Sequence, residues 1–180
     1  MMQDRWDRTI ALMVSTRERI QGLDRRGLWT YQGPEPGATE DRLRDAEVQI
    51  GQPLPPDFRS FLGHAAGWNA VYQHVDMFGP EDLYEGAKYV SGQQMLAAIE
   101  ERALQSSRTE RTALIPIAAS QNDLDLFVLV RRGEPAGGSI IWFAGTEIDR
   151  FGGFEEFFLS MLEYNRLEIQ TLGGGSEVAS

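Results

Sequence analysis

The side chains able to do chemistry are few. Two histidines, His64 and His74, stand ten residues apart, which is not a helical metal-ligand spacing. The chain has no cysteine, and that excludes thiolate zinc sites, disulfides and cysteine nucleophiles. Neither a Gly-x-Ser-x-Gly elbow nor a phosphate-cradling Gly-x-x-x-x-Gly-Lys-Ser/Thr loop occurs, and the single lysine, Lys88, lies outside any such context. The best carboxylate pair is Asp123 and Asp125, two apart at the start of an expected strand and therefore predicted to face one side. Such a pair can hold Mg²⁺ or Ca²⁺, or act as acid and base. Against this, a calcium loop needs several more oxygen ligands, and Asn-Asp before a strand is ordinary turn chemistry. No catalytic residue, metal or cofactor is expected.

Acidic clusters are more numerous than catalytic ones. Glu81, Asp82 and Glu85 share the run GPEDLYEG, and Glu147, Asp149, Glu155 and Glu156 flank a strand-to-helix connection in EIDRFGGFEEFF. Acids in a first helical turn favour the helix through its dipole, so Glu155 and Glu156 have a structural reason to be there. Over 180 residues the formal charge is −10; residues 1–27 carry +2 and the remainder −12. That balance opposes nucleic-acid binding, which needs a basic stripe to displace counterions. A basic protein partner suits it better.

These residues must be positioned by a fold that the pattern outlines. The length suits one domain, predicted at residues 1–172 with a disordered tail at 173–180. Charged residues interrupt the N-terminal run, so no export signal is read, and no apolar stretch approaches the ~20 residues that cross a bilayer. A soluble, cytoplasmic protein is expected. Trp6, Ile10, Met13, Val14 and Ile20 predict an amphipathic helix over Asp4–Leu23, followed by a packing loop. Thr39 is predicted to cap a second helix that ends at Gly51, with Leu43, Ala46, Val48 and Ile50 on its apolar side. Pro55-Pro56 opens a third, buried through Phe58, Phe61 and Leu62. NAVYQHVDMF reads as a strand or hairpin, and Ser91 with Gln94 resembles a capping box starting a helix through Met95, Leu96, Ile99 and Leu104. TALIPIAA, LDLFVLVRR and SIIWFAG predict an antiparallel meander with TEIDRF at its edge. A closing helix is striped by Phe154, Phe157, Phe158, Met161, Leu162 and Leu167. The sum is an α+β fold: a mostly antiparallel sheet of about four to six strands packed against helices, with an extra N-terminal helix.

The order of these segments resembles the SUKH superfamily, which includes bacterial immunity proteins and relatives of a fungal cell-wall assembly regulator. The residues that carry the resemblance are Leu54, Pro55, Phe58, Phe61 and Leu62; Gly67; Phe78 and Gly79; Ile115, Pro116, Ile117 and Ala118; and Phe154, Phe157 and Phe158. The likeness covers about residues 38–165, leaving residues 1–37 as an addition. AlaGlyTrp stands at 66–68 where the family often has Asn-Gly.

The resemblance implies a non-enzymatic cytoplasmic antidote that binds and neutralises a bacterial toxin domain, nucleases being common among the family's toxins. Its alternatives are a regulatory protein-interaction scaffold of the same family and, behind both, a metal-dependent hydrolase. An acidic inhibitor suits a nuclease, because a groove that attracts phosphates also attracts carboxylates. The expected recognition surface combines Asp76, Glu81, Asp82, Glu85, Asp123, Asp125, Glu147 and Asp149 with an aromatic anchor, Tyr84 or Tyr72. A monomer or weak homodimer is expected, with no nucleic-acid or membrane partner.

Overall fold

A computed structural model describes residues 2–174, with side chains from Arg5 onward. Helix α1 (Met2–Leu23) is followed by a loop, then α2 (Glu40–Ile50) and α3 (Pro56–Leu62). The hairpin β1 (Trp68–Tyr72) and β2 (Val75–Met77) precedes a 3₁₀ turn at Glu81–Leu83 and helices α4 (Gly86–Ala98) and α5 (Glu101–Ser106). A second 3₁₀ turn, Arg111–Ala113, leads into β3 (Leu114–Ser120), β4 (Leu126–Val130), β5 (Ile140–Ala144) and β6 (Thr146–Phe151). Helix α6 (Phe154–Gly174) closes the described chain. It reaches two residues past the expected start of the tail, and 175–180 lie outside the described residues.

The six strands pair antiparallel in sequence order, which is the expected α+β architecture. Strands β3 and β4 are buried throughout because helices cover both faces of the sheet. On one face α4 packs against β3 and β4. On the other, Phe157 of α6 meets Phe127 and Phe151, with ring centroids 5.1 and 5.7 Å apart. Pro116 has no N–H to give to the ladder, and it sits where the β3–β4 register jumps, between Pro116 and Ala118. The prolines before α3 act as predicted: Pro55 caps the helix and Pro56 opens it. Phe58 and Phe61 then join Phe154, Phe158 and Trp6 in one aromatic cluster that ties α3, α6 and α1 together.

Several local expectations shift. Helix α4 starts at Gly86, so Ser91 lies inside it, and the helix breaks at Ile99 so that Leu104 belongs to α5. Val48 is 76% exposed, since it stands off the Leu43–Ala46–Ile50 stripe of α2. Leu167 is 54% exposed, and the buried stripe of α6 continues instead through Asn165 and Glu168.

Those two polar residues meet α1, which runs parallel to α6. Arg17 is 3% exposed and donates to Asn165 Oδ1 (3.1 Å) and to the Thr30 carbonyl (3.1 Å), while its guanidinium lies over the Tyr31 ring at 4.7 Å. Asn165 donates to the carbonyls of Val71 and Met161. Gln73 donates to Glu168, whose second oxygen has no partner. Burial holds the Glu168 carboxyl above the ordinary carboxylate range despite Arg17 nearby.

Candidate functional site

The nine residues expected at a recognition surface do not form one surface. Asp76 Oδ1 accepts from the Ala70 N–H at 2.8 Å and from Gln121 at 2.9 Å. Ala70 has φ 52° within the irregular β1 register, so Asp76 satisfies the donor that this irregularity frees from the ladder. Glu81 takes a two-pronged contact from Arg42 at 2.6 and 2.8 Å, and this pairing holds its carboxyl below the usual range. Asp82 accepts from the Gly79 N–H at 2.9 Å and lies 3.6 Å from Lys88 Nζ. Glu147 is likewise gripped by Arg150, at 2.9 Å through each oxygen, which lowers its carboxyl. These four carboxylates already serve the fold.

Asp123 and Asp125 separate as well. Strand β4 begins only at Leu126, and the preceding turn folds round the Ser120 hydroxyl, which accepts from the N–H groups of Leu124 (3.0 Å) and Asp125 (2.8 Å). Asp123, at φ 57°, lies by Met95 and Phe143 on the α4 side of the sheet. Asp125 turns to the α6 side, where it accepts from Trp142 Nε1 at 2.9 Å. The same-face prediction is thus corrected, because the two residues occupy a turn and not a strand. His64 bonds its ring nitrogen to the Ser60 carbonyl, and His74 lies in the β1–β2 turn. Among the described residues no group of three or more His, Asp or Glu side chains is disposed to hold a metal ion. Glu85 is exposed ahead of α4, and Tyr84 opens onto a cleft beside α2.

What the structure does assemble is an aromatic ridge. Tyr72 on β1, Tyr164 on α6 and Trp142 on β5 stand in a row, with Tyr72–Tyr164 centroids 5.8 Å apart and Trp142–Tyr164 5.9 Å apart. Phe127 backs Trp142 in a stacked pair at 5.1 Å, which fixes the indole from below. All three ridge rings are half-buried, so each presents one part to solvent. Carboxylates flank them. Asp125 holds the indole N–H, and Asp149, opposite Trp142 in the β5–β6 ladder, accepts from the Tyr164 hydroxyl at 3.3 Å. Burial first, and then the charges of Glu168 and Asp125, push the Tyr72 hydroxyl up to about 12; burial and Asp149 raise that of Tyr164.

From Tyr164 an open depression of about 610 Å³ continues along α6. Its charged lining is Asp57, Glu155, Glu156, Glu163 and Arg5, with Arg5 paired to Glu155 and Glu163 paired to Arg166. Asp57 also accepts from the Glu155 N–H at 3.0 Å, so α3 caps the first turn of α6. Large half-buried aromatics inside a polar rim are the composition of an interface centre, and carboxylates around them select cations. Sequence reasoning names Asp125, Asp149 and Tyr72 but not Trp142 or Tyr164. In the sequence Trp142 lies within an apolar run read as a strand, and Tyr164 falls outside the stripe read for the closing helix.

No helix among the described residues is long and apolar enough to cross a membrane. The model of the SMI1 / KNR4 family (SUKH-1) matches residues 37–160, from just before α2 into α6. No curated protein matches the chain.

Proposed function

The chain belongs to the SMI1 / KNR4 family (SUKH-1), and on that premise we propose that it is a non-catalytic immunity protein that binds and neutralises a toxin domain through the ridge of Tyr72, Trp142 and Tyr164. Family membership supports the broader role, protein–protein interaction. The observation that carries the finer one is the ridge itself, with Asp125 and Asp149 at its flanks and the acidic depression of α6 beyond it. A basic toxin surface, such as the substrate groove of a nuclease, complements that arrangement. Its arginines would stack on the exposed rings, while the carboxylates steer the encounter.

The reading is tested with the product of an adjacent toxin gene. Protection of cells and complex formation by the purified proteins are measured for the wild type, Asp149→Lys and Tyr164→Ala. Asp149→Lys should slow association mainly at low salt, whereas Tyr164→Ala should speed dissociation and weaken binding by about 2 kcal/mol or more, as hot-spot aromatics do. Undiminished protection by the two changes combined would overturn the assignment. Reversing Glu81, already occupied by Arg42, serves as the contrasting control and should leave binding nearly unchanged.

A further inference from the structure

Tyr84, expected beside the acids, opens onto a cleft of about 710 Å³ between the C-terminal ends of α2 and α4. Its charge is opposite to that of the chain as a whole. The charged residues lining it are Arg111 and Arg131, in a protein of net charge −10. Backbone carbonyls hold both guanidiniums. Arg111 donates to the carbonyls of Leu96 (3.1 Å) and Ile99 at the end of α4. Arg131 donates to the carbonyls of Ile50 (2.8 Å), at the end of α2, and Thr112 (3.1 Å). The Arg131 N–H also bonds the Ala113 carbonyl at 2.7 Å, which places Arg131, just past β4, beside the 3₁₀ turn that carries Arg111.

A helix C-terminus offsets only about half a charge. Among the described residues Arg131 has no carboxylate within ion-pair distance, and Arg111 has the exposed Glu101 at 3.5 Å. Arg111 is thereby largely neutralised, whereas Arg131, opposed by the partial charge of the α2 end, leaves positive charge on its side of the cleft. The remaining lining is two phenol rings, Tyr84 and Tyr89, and two amides, Gln49 and Gln93, above buried Leu96 and Leu114.

We propose that this cleft binds a phosphorylated small molecule bearing a flat ring, such as a nucleoside diphosphate. Nε and Nη2 of Arg111 and Nε and Nη1 of Arg131 are engaged by carbonyls, while among the described residues Arg131 Nη2 has no protein acceptor and is the donor left for phosphate oxygens. The tyrosines offer faces for the ring, and the glutamines offer donors and acceptors for its edge. The cleft's size is that of small-ligand sites, roughly 300–1,000 Å³. This site is separate from the aromatic ridge and stands whether or not toxin binding does.

The test is a titration of the full ¹⁵N-labelled chain with ADP, adenosine and inorganic phosphate, followed by NMR. ADP should give saturable shifts centred on the side-chain signals of Gln49, Gln93, Arg111 and Arg131. Phosphate should move the arginine signals only, and adenosine should bind far more weakly than ADP. Arg131→Gln should weaken ADP about tenfold, and Tyr89→Leu, which leaves both helix caps in place, about threefold. The proposal is overturned by no saturable response to ADP at millimolar concentration, by shifts centred elsewhere, or by adenosine binding as tightly as ADP. Should Arg131→Gln fail to fold, the wild-type shift map and Tyr89→Leu decide the matter.

Discussion

Arg17 and Glu168 stand where the helical stripes call for apolar residues, and together they determine how the α1–α6 contact responds to pH. The Glu168 carboxyl is raised because burial outweighs the attraction of Arg17. A group whose folded pKa lies above its unfolded value, about 4.3 for glutamate, is favoured by folding when protonated. Its contribution is fully present below the unfolded value and is lost as pH rises through the folded one. Glu168→Gln should therefore be more stable than the wild type at roughly pH 8, and the two should converge at roughly pH 4. Urea unfolding at the two pH values reads this directly, and an unchanged difference between them would contradict it. Arg17→Met removes the donor to Asn165 Oδ1 and Thr30 O and leaves Glu168 without its nearby cation. It should cost about 2–4 kcal/mol at neutral pH, and less in acid, where Glu168 is neutral. The opposite signs of these two substitutions are the check on the account.

Helix α4 shows how an element can be invisible to periodicity and still be tightly specified. Its buried positions are Gly92 and Leu96, so it meets the sheet through a missing side chain and not through a leucine stripe. A Cβ on Gly92 would come within 2.9 Å of Pro116 Cβ and 3.2 Å of the Phe78 ring, both on rigid side chains. Gly92→Val should cost about 1–3 kcal/mol by overpacking, measured as a lower urea midpoint with unchanged slope. The same feature explains why Ser91 looked like a helix start: with no apolar stripe ahead of it, the turn from Gly86 gave no periodic signal. The stop at Ile99 is equally non-local, because Arg111 satisfies the carbonyls of Leu96 and Ile99 from beyond α5. By contrast, α2, α3 and the β3–β6 meander were legible, since Thr39, Gly51, Pro55-Pro56 and the three apolar runs are local signals. The ridge was half legible. Asp125, Asp149 and Tyr72 could be named from type and exposure, but Trp142 and Tyr164 become surface groups only because α6 crosses the sheet beside β1 and β5. Whether a carboxylate already serves an arginine, as at Glu81 and Glu147, is likewise a tertiary fact.

At the scale of the molecule, the −12 balance after residue 27 is spread unevenly in effect. Pairs such as Arg42–Glu81, Arg59–Glu47 and Arg150–Glu147 occupy some of the acids without altering that balance, and further carboxylates line α6 and flank the ridge. Helix α1 lies outside the matched family region, yet it completes the core on which that surface rests. Trp6 packs on Phe61 and Phe158 at 5.2 and 5.7 Å, and Met13 and Arg17 continue the contact along α6. Removing residues 1–31 would keep the Gln32 carbonyl that accepts from Trp68 Nε1, but would uncover Phe61, Phe158 and Met161 together. Each aromatic ring buries about 150–250 Å², so the exposed patch would exceed what a monomer ordinarily shows. The truncated chain should therefore self-associate in a concentration-dependent way and lose its cooperative thermal transition. Trp6→Ala, which opens the same seam at one point, should remain monomeric and lose about 3–5 kcal/mol. Sedimentation and calorimetry distinguish the cases, and a truncated chain that stays monomeric with an unshifted midpoint would show that α1 is an ornament on the family fold and not part of its core.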